Sequence, residues 1–379
     1  MEEKTNKSHV LVLPFPVQGH INPMVQFSKR LTAKGSVKVT LITIDSVTKS
    51  MPILESGSIK IHSIPHDDET PPQSYDLFLE WFHVLVSKNL TKIVEELSDS
   101  EYPVKSDLYP SLRKLVFSRN INFKKADWLL FNSFDVLEKE VIDWLRTQCR
   151  IKTIGPIIPS MYLDKRLKDD KEYGLSLFKP NSETCMKWLD SREIGSVVYV
   201  SFGSLANLGE QQMEELASGL MMSDFYYLWV VRATEENKLT EEFMSKSKEK
   251  CLIVNWCPQL NVLSHQAVGC FFTHCGWNST LEALSLGVPM VAMPQWSDQP
   301  TNAKFISDVW QTGVRVKARE NGVVNRDEIA SSIREVMREE KGIMLKENAN
   351  KWKKLAKEAV DEGGSSDKNI EEFLKLVIN

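Results

Sequence analysis

Cysteine is scarce in this sequence, and long apolar runs are missing. Only six cysteines occur among 379 residues: Cys149, Cys185, Cys251, Cys257, Cys270 and Cys275. Because four of them fall in or beside predicted buried strands, reduced thiols are favoured over a disulfide framework or a zinc site. No run of about 18 apolar residues could span a bilayer, and the polar start MEEKTNKSH lacks the apolar core of a signal peptide. We therefore expect a cytoplasmic protein that does not contact a membrane.

An excess of positive charge is also missing. Lysine and arginine number 47 against 51 aspartates and glutamates, which gives a formal net charge of −4. This balance provides no basic surface for nucleic acid and no attraction to anionic lipids. The composition, 42% hydrophobic and 26% charged, is that of a globular protein, and 379 residues exceed one ordinary core. Two domains are therefore expected.

One run, residues 256–299, carries most of the chemical information. Its segment VGCFFTHCG is predicted to be a short apolar strand that ends at Gly276. In WNSTLEALSLG the apolar and small residues have helical spacing, and the predicted helix ends at Gly287. PMVAMP is predicted to be a second short strand. A turn from a strand into a helix directs backbone N–H groups outward, and the helix dipole there favours an anion. Gly276 would let a phosphate approach closely, so the pattern predicts a phosphate site on this turn.

Polar and aromatic side chains near the turn suit the other parts of a nucleotide sugar. They are His274, Asn278 and Ser279 for a diphosphate, Asp298 and Gln299 for sugar hydroxyls, and Trp256 and Gln259 for stacking on a base and reading its edge. These receptors would follow one another along one sheet edge, where open α/β sheets bind ligands. Ser204 ends another predicted strand, and both a diphosphate contact and a simple turn remain open for it.

This run resembles the signature box of the plant family-1 UDP-glycosyltransferases, including WCPQ, HCGWNS and the closing DQ. A motif of this length is more specific than a lone glycine fingerprint. The resemblance implies an α/β protein with two Rossmann-like doubly wound domains facing across a cleft, the GT-B fold, and a UDP-sugar donor. It implies that Trp256 stacks on uracil, with Cys257 and Gln259 beside it, and that Glu282 binds the ribose hydroxyls. It also implies that the diphosphate is bound by His274, Gly276, Asn278 and Ser279. The sugar would be contacted by Trp277, Asp298 and Gln299. The closing Gln299 implies glucose rather than galactose.

The N-terminal half opens with a βαβ pattern. HVLVLPFP at 9–16 and VKVTLITI at 37–44 read as strands around a helix that ends near Gly35, which predicts a parallel sheet. This half lacks GxGxxG, so nothing indicates a dinucleotide there. His20 lies in the turn between strand and helix, where a lone histidine is most often a capping or surface residue. The resemblance, carried here by PFPxQGHxxP, instead implies that His20 is the catalytic base.

Three residues near His20 are also candidates for the site. Gly19 would let donor and acceptor approach the backbone, while Phe15 and Gln18 are either acceptor contacts or plain core and turn residues. Apolar positions from Tyr75 to Leu97 follow the helical period, which is typical of a core-facing helix. The resemblance allows three of its aromatic residues to border an acceptor pocket as well: Phe78, Trp81 and Phe82.

The sequence departs from the family pattern near residues 103–113. The family would continue there with a buried strand ending in an aspartate that orients the catalytic histidine, whereas this chain runs directly into SDLYPSLRKLVF. We therefore expect a shortened N-terminal acceptor-binding domain at 1–170 and a UDP-sugar-binding domain at 171–365. The last helix, 366–379, is expected to pack back on the N-terminal domain.

Three hypotheses about function follow. The first is an inverting UDP-glycosyltransferase that moves glucose to a small hydrophobic acceptor such as a phenolic, a carboxylic acid or a terpenoid. The second is a UDP-sugar-binding homologue that has lost catalysis because the segment with the catalytic aspartate is missing. The third, a hydrolase or epimerase, would need a carboxylate pair near the sugar, and only Asp298 is evident. The run has too few carboxylates for a Mg²⁺–diphosphate site, so we expect no metal, no cofactor beyond the co-substrate UDP-glucose, and a monomer.

Overall fold

The computed structural model describes residues 8–35, 37–50, 59–66, 72, 75–97, 126–174 and 176–378. Contacts divide the chain into two compact units, residues 1–177 together with 359–379, and residues 178–358. The domain boundaries inferred from the sequence, after 170 and after 365, stay predictions. The shortening predicted near 103–113 lies outside the described residues.

The first unit contains a parallel three-stranded sheet in the order β1-β2-β3. Its strands are Ser8–Val12, Val37–Ile44 and Ile59–Ile64, and its helices are α1 Gln18–Ala33, α2 Asp45–Ser50 and α3 Tyr75–Leu97. The first strand was expected over 9–16, but it ends at Val12. Pro14 and Pro16 follow, and neither has the N–H group that a strand interior needs. Strand β2 is buried almost throughout, as its apolar run predicts.

A separate parallel pair of strands completes the sheet structure described in this unit. It consists of β4 Leu129–Phe131 and β5 Ile151–Thr153, with helix α4 Lys139–Arg146 between them. Among the described residues, this pair forms a sheet of its own and is not hydrogen-bonded to the three-stranded sheet. The buried apolar side chains of β2, α1 and α3 form the core of the unit.

Helix α13, Ser365–Ile378, belongs to the first unit. The Ser366 hydroxyl donates to the carbonyl of Gly155 (2.6 Å), and the ring of Phe373 lies 6.1 Å from that of Phe27. Asp367 accepts hydrogen bonds from Lys34 and Arg166, at 3.0 and 2.9 Å. Both apolar and charged contacts therefore hold the last helix on α1 and on the segment after β5.

The second unit is built on a parallel six-stranded sheet in the order β11-β10-β9-β6-β7-β8. The strands in chain order are β6 Val197–Ser201, β7 Tyr226–Val230, β8 Cys251–Val254, β9 Val268–Thr273, β10 Met290–Ala292 and β11 Gly313–Arg315. The chain starts at the centre, adds β7 and β8 on one side, and then returns to place β9 against the other side of β6. The point where the strand order reverses therefore lies between β6 and β9. In open α/β sheets this is the place where ligands bind, at the carboxyl ends of the strands.

Helices precede, join and follow the strands of this sheet. They are α5 Ser182–Asp190, α6 Glu210–Ser223, α7 Glu241–Ser247, α8 Gln259–Ser264, α9 Trp277–Leu286, α10 Gln299–Lys304 with a π-helical segment Phe305–Val309, α11 Arg326–Met337 and α12 Glu340–Val360. Short 3₁₀ turns occur at Ser160–Tyr162 and Glu236–Lys238. Helix α9 ends at Gly287, whose φ of +70° makes it the left-handed cap that the sequence predicted.

Candidate functional site

The loops that leave β6 and β9 meet at the switch point of the second unit. Gly203 follows β6 with φ of +72°, and a Cβ at this position would lie 2.8 Å from the ring of His274, which follows β9. A Cβ at Gly276 would lie 2.5 Å from Nε2 of the same imidazole. Two glycines are therefore needed to make room for one histidine ring. The half-buried Ser204 continues the loop after β6, and its carbonyl accepts a hydrogen bond from Arg232 (2.8 Å).

The imidazole of His274 is electrically neutral near pH 7. Desolvation by the surrounding protein lowers its pKa to about 4, and the nearby Asp298 carboxylate and the backbone of Ser201 offset this only in part. Among the described residues, its Nδ1 atom has no hydrogen-bond partner. A neutral imidazole carries one N–H donor and one acceptor nitrogen, so His274 can hydrogen-bond an anion but does not neutralise its charge.

Positive potential at this point comes instead from helix α9. The helix begins at Trp277 with Gly276 as its N-cap, and no side chain caps it. The first amides of a helix point beyond its end, and the helix dipole adds about half a positive charge there. Asn278 and Ser279 lie in this first turn with half-buried side chains. The turn from β9 into α9 thus has the form of the predicted phosphate site.

A hydrogen-bonded group of buried and half-buried side chains lies behind this turn. The amide Nε2 of Gln259 donates to Glu282 (2.6 Å) and to Ser279 (3.0 Å), and its Oε1 accepts from the hydroxyl of Tyr199 (2.9 Å). Glu282 is only 3% exposed, so its carboxylate needs such a donor. Tyr199 was not predicted as a site residue, because in the apolar run VVYV it reads as ordinary strand core.

Trp256 and Cys257 follow β8 at the same sheet edge. The half-buried indole of Trp256 packs against Phe178, with ring centroids 4.3 Å apart and the planes 30° from parallel. Asn181 N–H donates to the Trp256 carbonyl (3.0 Å), which fixes the loop. Cys257 is buried with its Sγ 3.3 Å from the Tyr199 hydroxyl, and burial raises its pKa. Its side chain therefore faces the protein, and only its backbone is suited to a ligand. Phe178 was not predicted as a site residue, because no motif or periodicity marks it.

The loop after β10 holds the two residues predicted to bind a sugar. The Oε1 atom of Gln299 accepts from the backbone N–H of Gln295 (2.8 Å) and Trp296 (3.2 Å), so the amide nitrogen is the group it can offer a ligand. The exposed Asp298 accepts from Asn302 (2.7 Å), which also donates to the Cys275 carbonyl.

Trp277, the third residue predicted to contact the sugar, is half-buried. Its ring lies 6.3 Å from that of Trp310.

His20, in the first unit, lies in the first turn of α1 and not in the turn before it, as the sequence had suggested. Desolvation lowers its pKa, although its side chain reaches the surface. Its ring meets that of Phe15 edge to face at 5.7 Å. Within the described residues, no carboxylate is found that raises this pKa. The segment where an acidic partner was expected lies outside the described residues.

Two neighbours of His20 have contrasting environments. Gly19 is exposed at the start of α1. Gln18 is buried, and its amide is used at both ends: Nε2 donates to Asn22, and Oε1 accepts from Leu177 N–H. The polar groups of Gln18 therefore serve the fold, and the structure gives no support to the predicted acceptor contact.

An aromatic cluster surrounds Phe15. Its ring lies 5.6 Å from those of Phe78 and Phe82, and Phe78 stacks on Trp81 at 5.6 Å. Phe78 and Trp81 are half-buried, whereas Phe82 is 2% exposed and belongs to the core. The expectation that Phe82 also borders a pocket is therefore not supported. His66, which the sequence did not single out, meets Trp81 edge to face at 5.5 Å.

The residues that the structure describes show neither a membrane-spanning helix nor a metal-binding cluster. In these ranges, no helix has both the length and the apolar character that crossing a membrane requires. The same residues contain no group of three or more histidine, cysteine or acidic side chains arranged to hold a metal ion.

Comparison with known proteins identifies similar chains. The sequence model described as UDP-glucoronosyl and UDP-glucosyl transferase matches residues 132–360. A mogroside I-E synthase of Siraitia grosvenorii is 44% identical over 447 aligned residues, with 98% of each chain covered. UDP-glycosyltransferase 74E2 of Arabidopsis thaliana is 42% identical, with 97% of this chain and 99% of the relative covered.

Solved structures resemble the chain over almost its full length. The structure of Os79 from O. sativa in complex with UDP has a TM-score of 0.90 at 33% identity, and it covers 97% of this chain and 100% of the other. Phytolacca americana UGT2, complexed with UDP-2fluoro-glucose and pterostilbene, has a TM-score of 0.79 at 25% identity, with coverages of 98% and 100%.

Proposed function

Because the chain belongs to the plant family-1 UDP-glycosyltransferases, hexosyltransferases with the GT-B fold, we propose that it transfers glucose from UDP-glucose to a small hydrophobic acceptor. The anomeric carbon inverts in the reaction. The acceptor is a phenolic, a carboxylic acid or a terpenoid. A monomeric state and a cytoplasmic location are part of the same proposal and rest on the sequence.

The switch point of the six-stranded sheet is the observation that carries this proposal. The loops after β8, β9 and β10 contain, in that order, an indole, a helix N-terminus beside a neutral imidazole, and an amide with an acid. These groups suit a base, a diphosphate and a sugar. Uracil stacks on Trp256, the diphosphate binds at His274 and the start of α9, and the hexose contacts Trp277, Asp298 and Gln299. The closing DQ resembles that of family members that use UDP-glucose, so Gln299 favours glucose over galactose as the transferred sugar.

Transfer needs a base on the acceptor side, and His20 fits this role. Its lowered pKa leaves the imidazole unprotonated near pH 7, as a general base requires. His20 takes a proton from the acceptor hydroxyl, carboxyl or thiol while that atom forms a bond to the anomeric carbon. The bond from that carbon to the UDP oxygen breaks on the opposite face, and its electron pair stays on UDP. Because a single displacement brings the acceptor atom to the face opposite the departing UDP oxygen, the configuration of the anomeric carbon inverts.

The leaving group requires stabilisation of negative charge. As the bond breaks, charge develops on the diphosphate, where the α9 N-terminus provides positive potential and His274 a hydrogen bond. Such preorganised donors are worth about 3–4 kcal/mol each in other enzymes. On the acceptor side, the aromatic surface of Phe15, Phe78 and Trp81 near His20 favours an apolar acceptor with one nucleophilic group.

The experiment is an acceptor-dependent transfer assay. Purified chain is incubated with UDP-glucose and a panel of phenolic, carboxylic and terpenoid acceptors, and products are identified by mass spectrometry. We expect UDP release that requires acceptor and a glucoside with inverted configuration. The matched variant His20→Ala should bind UDP as wild type does but form at least 100-fold less product. Absence of product from the whole panel, while a homologous enzyme forms product under the same conditions, would contradict transferase activity.

A second candidate function is UDP-sugar binding without transfer. One observation favours it. Alignments to relatives extend over 447 or more positions, which exceeds the 379 residues of this chain and supports a missing segment.

Ligand binding and turnover separate the two functions. A binder without activity would show a higher melting temperature with UDP, because a ligand that binds only the folded state stabilises it. It would form no product with any acceptor. Turnover that His20→Ala abolishes would exclude this second function.

A further inference from the structure

Tyr199 lies in β6, on the face of the sheet opposite the core formed by Val198 and Val200. It is 1% exposed, and its ring stacks on that of Phe271, its register partner in β9, at 4.8 Å and 19°. Desolvation raises its pKa well above the usual value, so the hydroxyl keeps its proton. A rigid hydroxyl donor therefore sits between the two central strands, directly beneath the switch point.

The Tyr199 hydroxyl donates to Oε1 of Gln259 at 2.9 Å. The orientation of that amide is determined by its other end. Glu282 has a carboxylate oxygen 2.6 Å from the amide and accepts hydrogen bonds only, so the group facing it must be Nε2. The second proton of Nε2 is donated to Ser279 at 3.0 Å. Oε1 consequently faces Tyr199, and the protein uses both donors and one acceptor position of the amide.

This arrangement changes the role that the sequence suggested for Gln259. Both donors of Gln259 are used within the protein, so only the second acceptor position of Oε1 is left for a ligand. What the amide does is connect β6 to helix α9, where Ser279 and Glu282 lie three residues apart on one face. The order of donation runs from Tyr199 through Gln259 to the carboxylate.

We propose that Tyr199 is a positioning residue that, through Gln259, holds the Glu282 carboxylate ready to accept hydrogen bonds from the ribose hydroxyls of the donor. The proposal rests on the proposed binding of a UDP-sugar and adds a residue and a selectivity to it. A carboxylate held in one orientation favours a 2′,3′-diol over a sugar with a single hydroxyl, since two donors meet two oxygens. The chain should therefore prefer ribonucleotides to 2′-deoxyribonucleotides, and the preference should depend on Tyr199.

The test compares two nucleotides that differ by one hydroxyl. Dissociation constants of UDP and 2′-deoxy-UDP are measured by isothermal calorimetry for wild type, Tyr199→Phe and a control, Tyr227→Phe. Tyr227 is a buried tyrosine in the adjacent strand β7, in the core on the other face of the sheet and away from Gln259 and Glu282. Both substitutions remove one buried hydroxyl and keep the ring.

We expect Tyr199→Phe to weaken UDP binding about threefold to tenfold, the usual effect of one hydrogen bond. Binding of 2′-deoxy-UDP should weaken by a smaller factor than binding of UDP, because only one of the two hydroxyls that Glu282 would meet remains. The control should leave both constants unchanged. Gln259→Leu, which breaks the same connection at the next residue, should reproduce the pattern and serves if Tyr199→Phe does not fold.

The possible results are distinguishable. Equal weakening of both nucleotides by Tyr199→Phe, or no weakening of either, would overturn the positioning role. A wild-type chain that binds the two nucleotides equally would overturn it as well. A wild-type chain that binds neither nucleotide would instead contradict the proposed function. Because binding is measured without an acceptor, the test holds even if the chain does not transfer sugar.

Discussion

Replacement of Gly203 by alanine is the substitution for which the geometry gives the sharpest expectation. The backbone φ of +72° is left-handed, and an alanine there is strained by about 1–2 kcal/mol. Its Cβ would also lie 2.8 Å from Cε1 and Nε2 of His274, closer than such contacts occur in proteins. Because the backbone of the loop is fixed by β6, we expect the imidazole to move away from the diphosphate site.

The loss of UDP binding follows from the interaction that moves. A hydrogen bond from an imidazole to a charged diphosphate contributes about 1.5–3 kcal/mol. Its loss raises the dissociation constant about 10- to 100-fold. Gly203→Ala should therefore reduce both the free energy of unfolding, by about 1–2 kcal/mol, and the affinity for UDP. Chemical denaturation and calorimetry measure the two effects separately.

Gly195 provides the matched control. It lies in the same unit with φ of +68°, but a Cβ there would have no atom within 4 Å. Gly195→Ala should thus carry the same backbone strain without any effect on UDP binding. Wild-type affinity of Gly203→Ala for UDP would show that the His274 imidazole does not hold the diphosphate. Equal weakening of UDP binding by the two variants would contradict this role of His274 too, since strain alone would then explain the loss.

Three further predictions concern the first unit. His20→Ala should lower kcat at least 100-fold and leave the dissociation constant of UDP unchanged, as initial rates and calorimetry would show; an unchanged kcat would exclude His20 as the base. Because desolvation lowers the pKa of His20, kcat/KM should fall only as pH drops through a value below 6.5 and be constant near pH 7; a rise that continues well above pH 7 would contradict this assignment. Asp367→Asn should lower the free energy of unfolding by about 1–3 kcal/mol, because the buried carboxylate of Asp367 pairs with Lys34 and Arg166. Glu371 is a half-exposed partner of the same lysine, so Glu371→Gln should change the free energy of unfolding by less than about 0.5 kcal/mol. Equal losses in urea denaturation would mean that burial does not matter here.

The pattern of the run 256–299 was sufficient to predict the strands and helix around His274. Continuous apolar segments closed by Gly276 and Gly287 indicate β9 and α9, and the six-stranded parallel sheet follows from the alternation of strands and helices. The predicted β1 is longer than the observed strand, because the apolar run continues past Val12. Pro14 and Pro16 in that run lack the backbone N–H groups that a strand interior needs.

Side-chain orientation is the part that the sequence did not predict. Gln18 and Cys257 were both predicted to contact a ligand, yet the side chains of both face the protein interior. Tyr199 contacts Gln259 across 60 residues, a contact that depends on the order of the strands in the sheet. Phe178 reaches Trp256 through a segment without helical or strand periodicity. Such contacts between distant parts of the chain leave no local pattern.

A crystal structure of this chain with UDP would show whether the nucleotide binds at the switch point of the six-stranded sheet. We expect uracil against the indole of Trp256, the diphosphate within hydrogen-bond distance of His274 and the first amides of α9, and the ribose hydroxyls at Glu282. UDP bound away from the carboxyl ends of β6 and β9, or with its diphosphate remote from the start of α9, would contradict it.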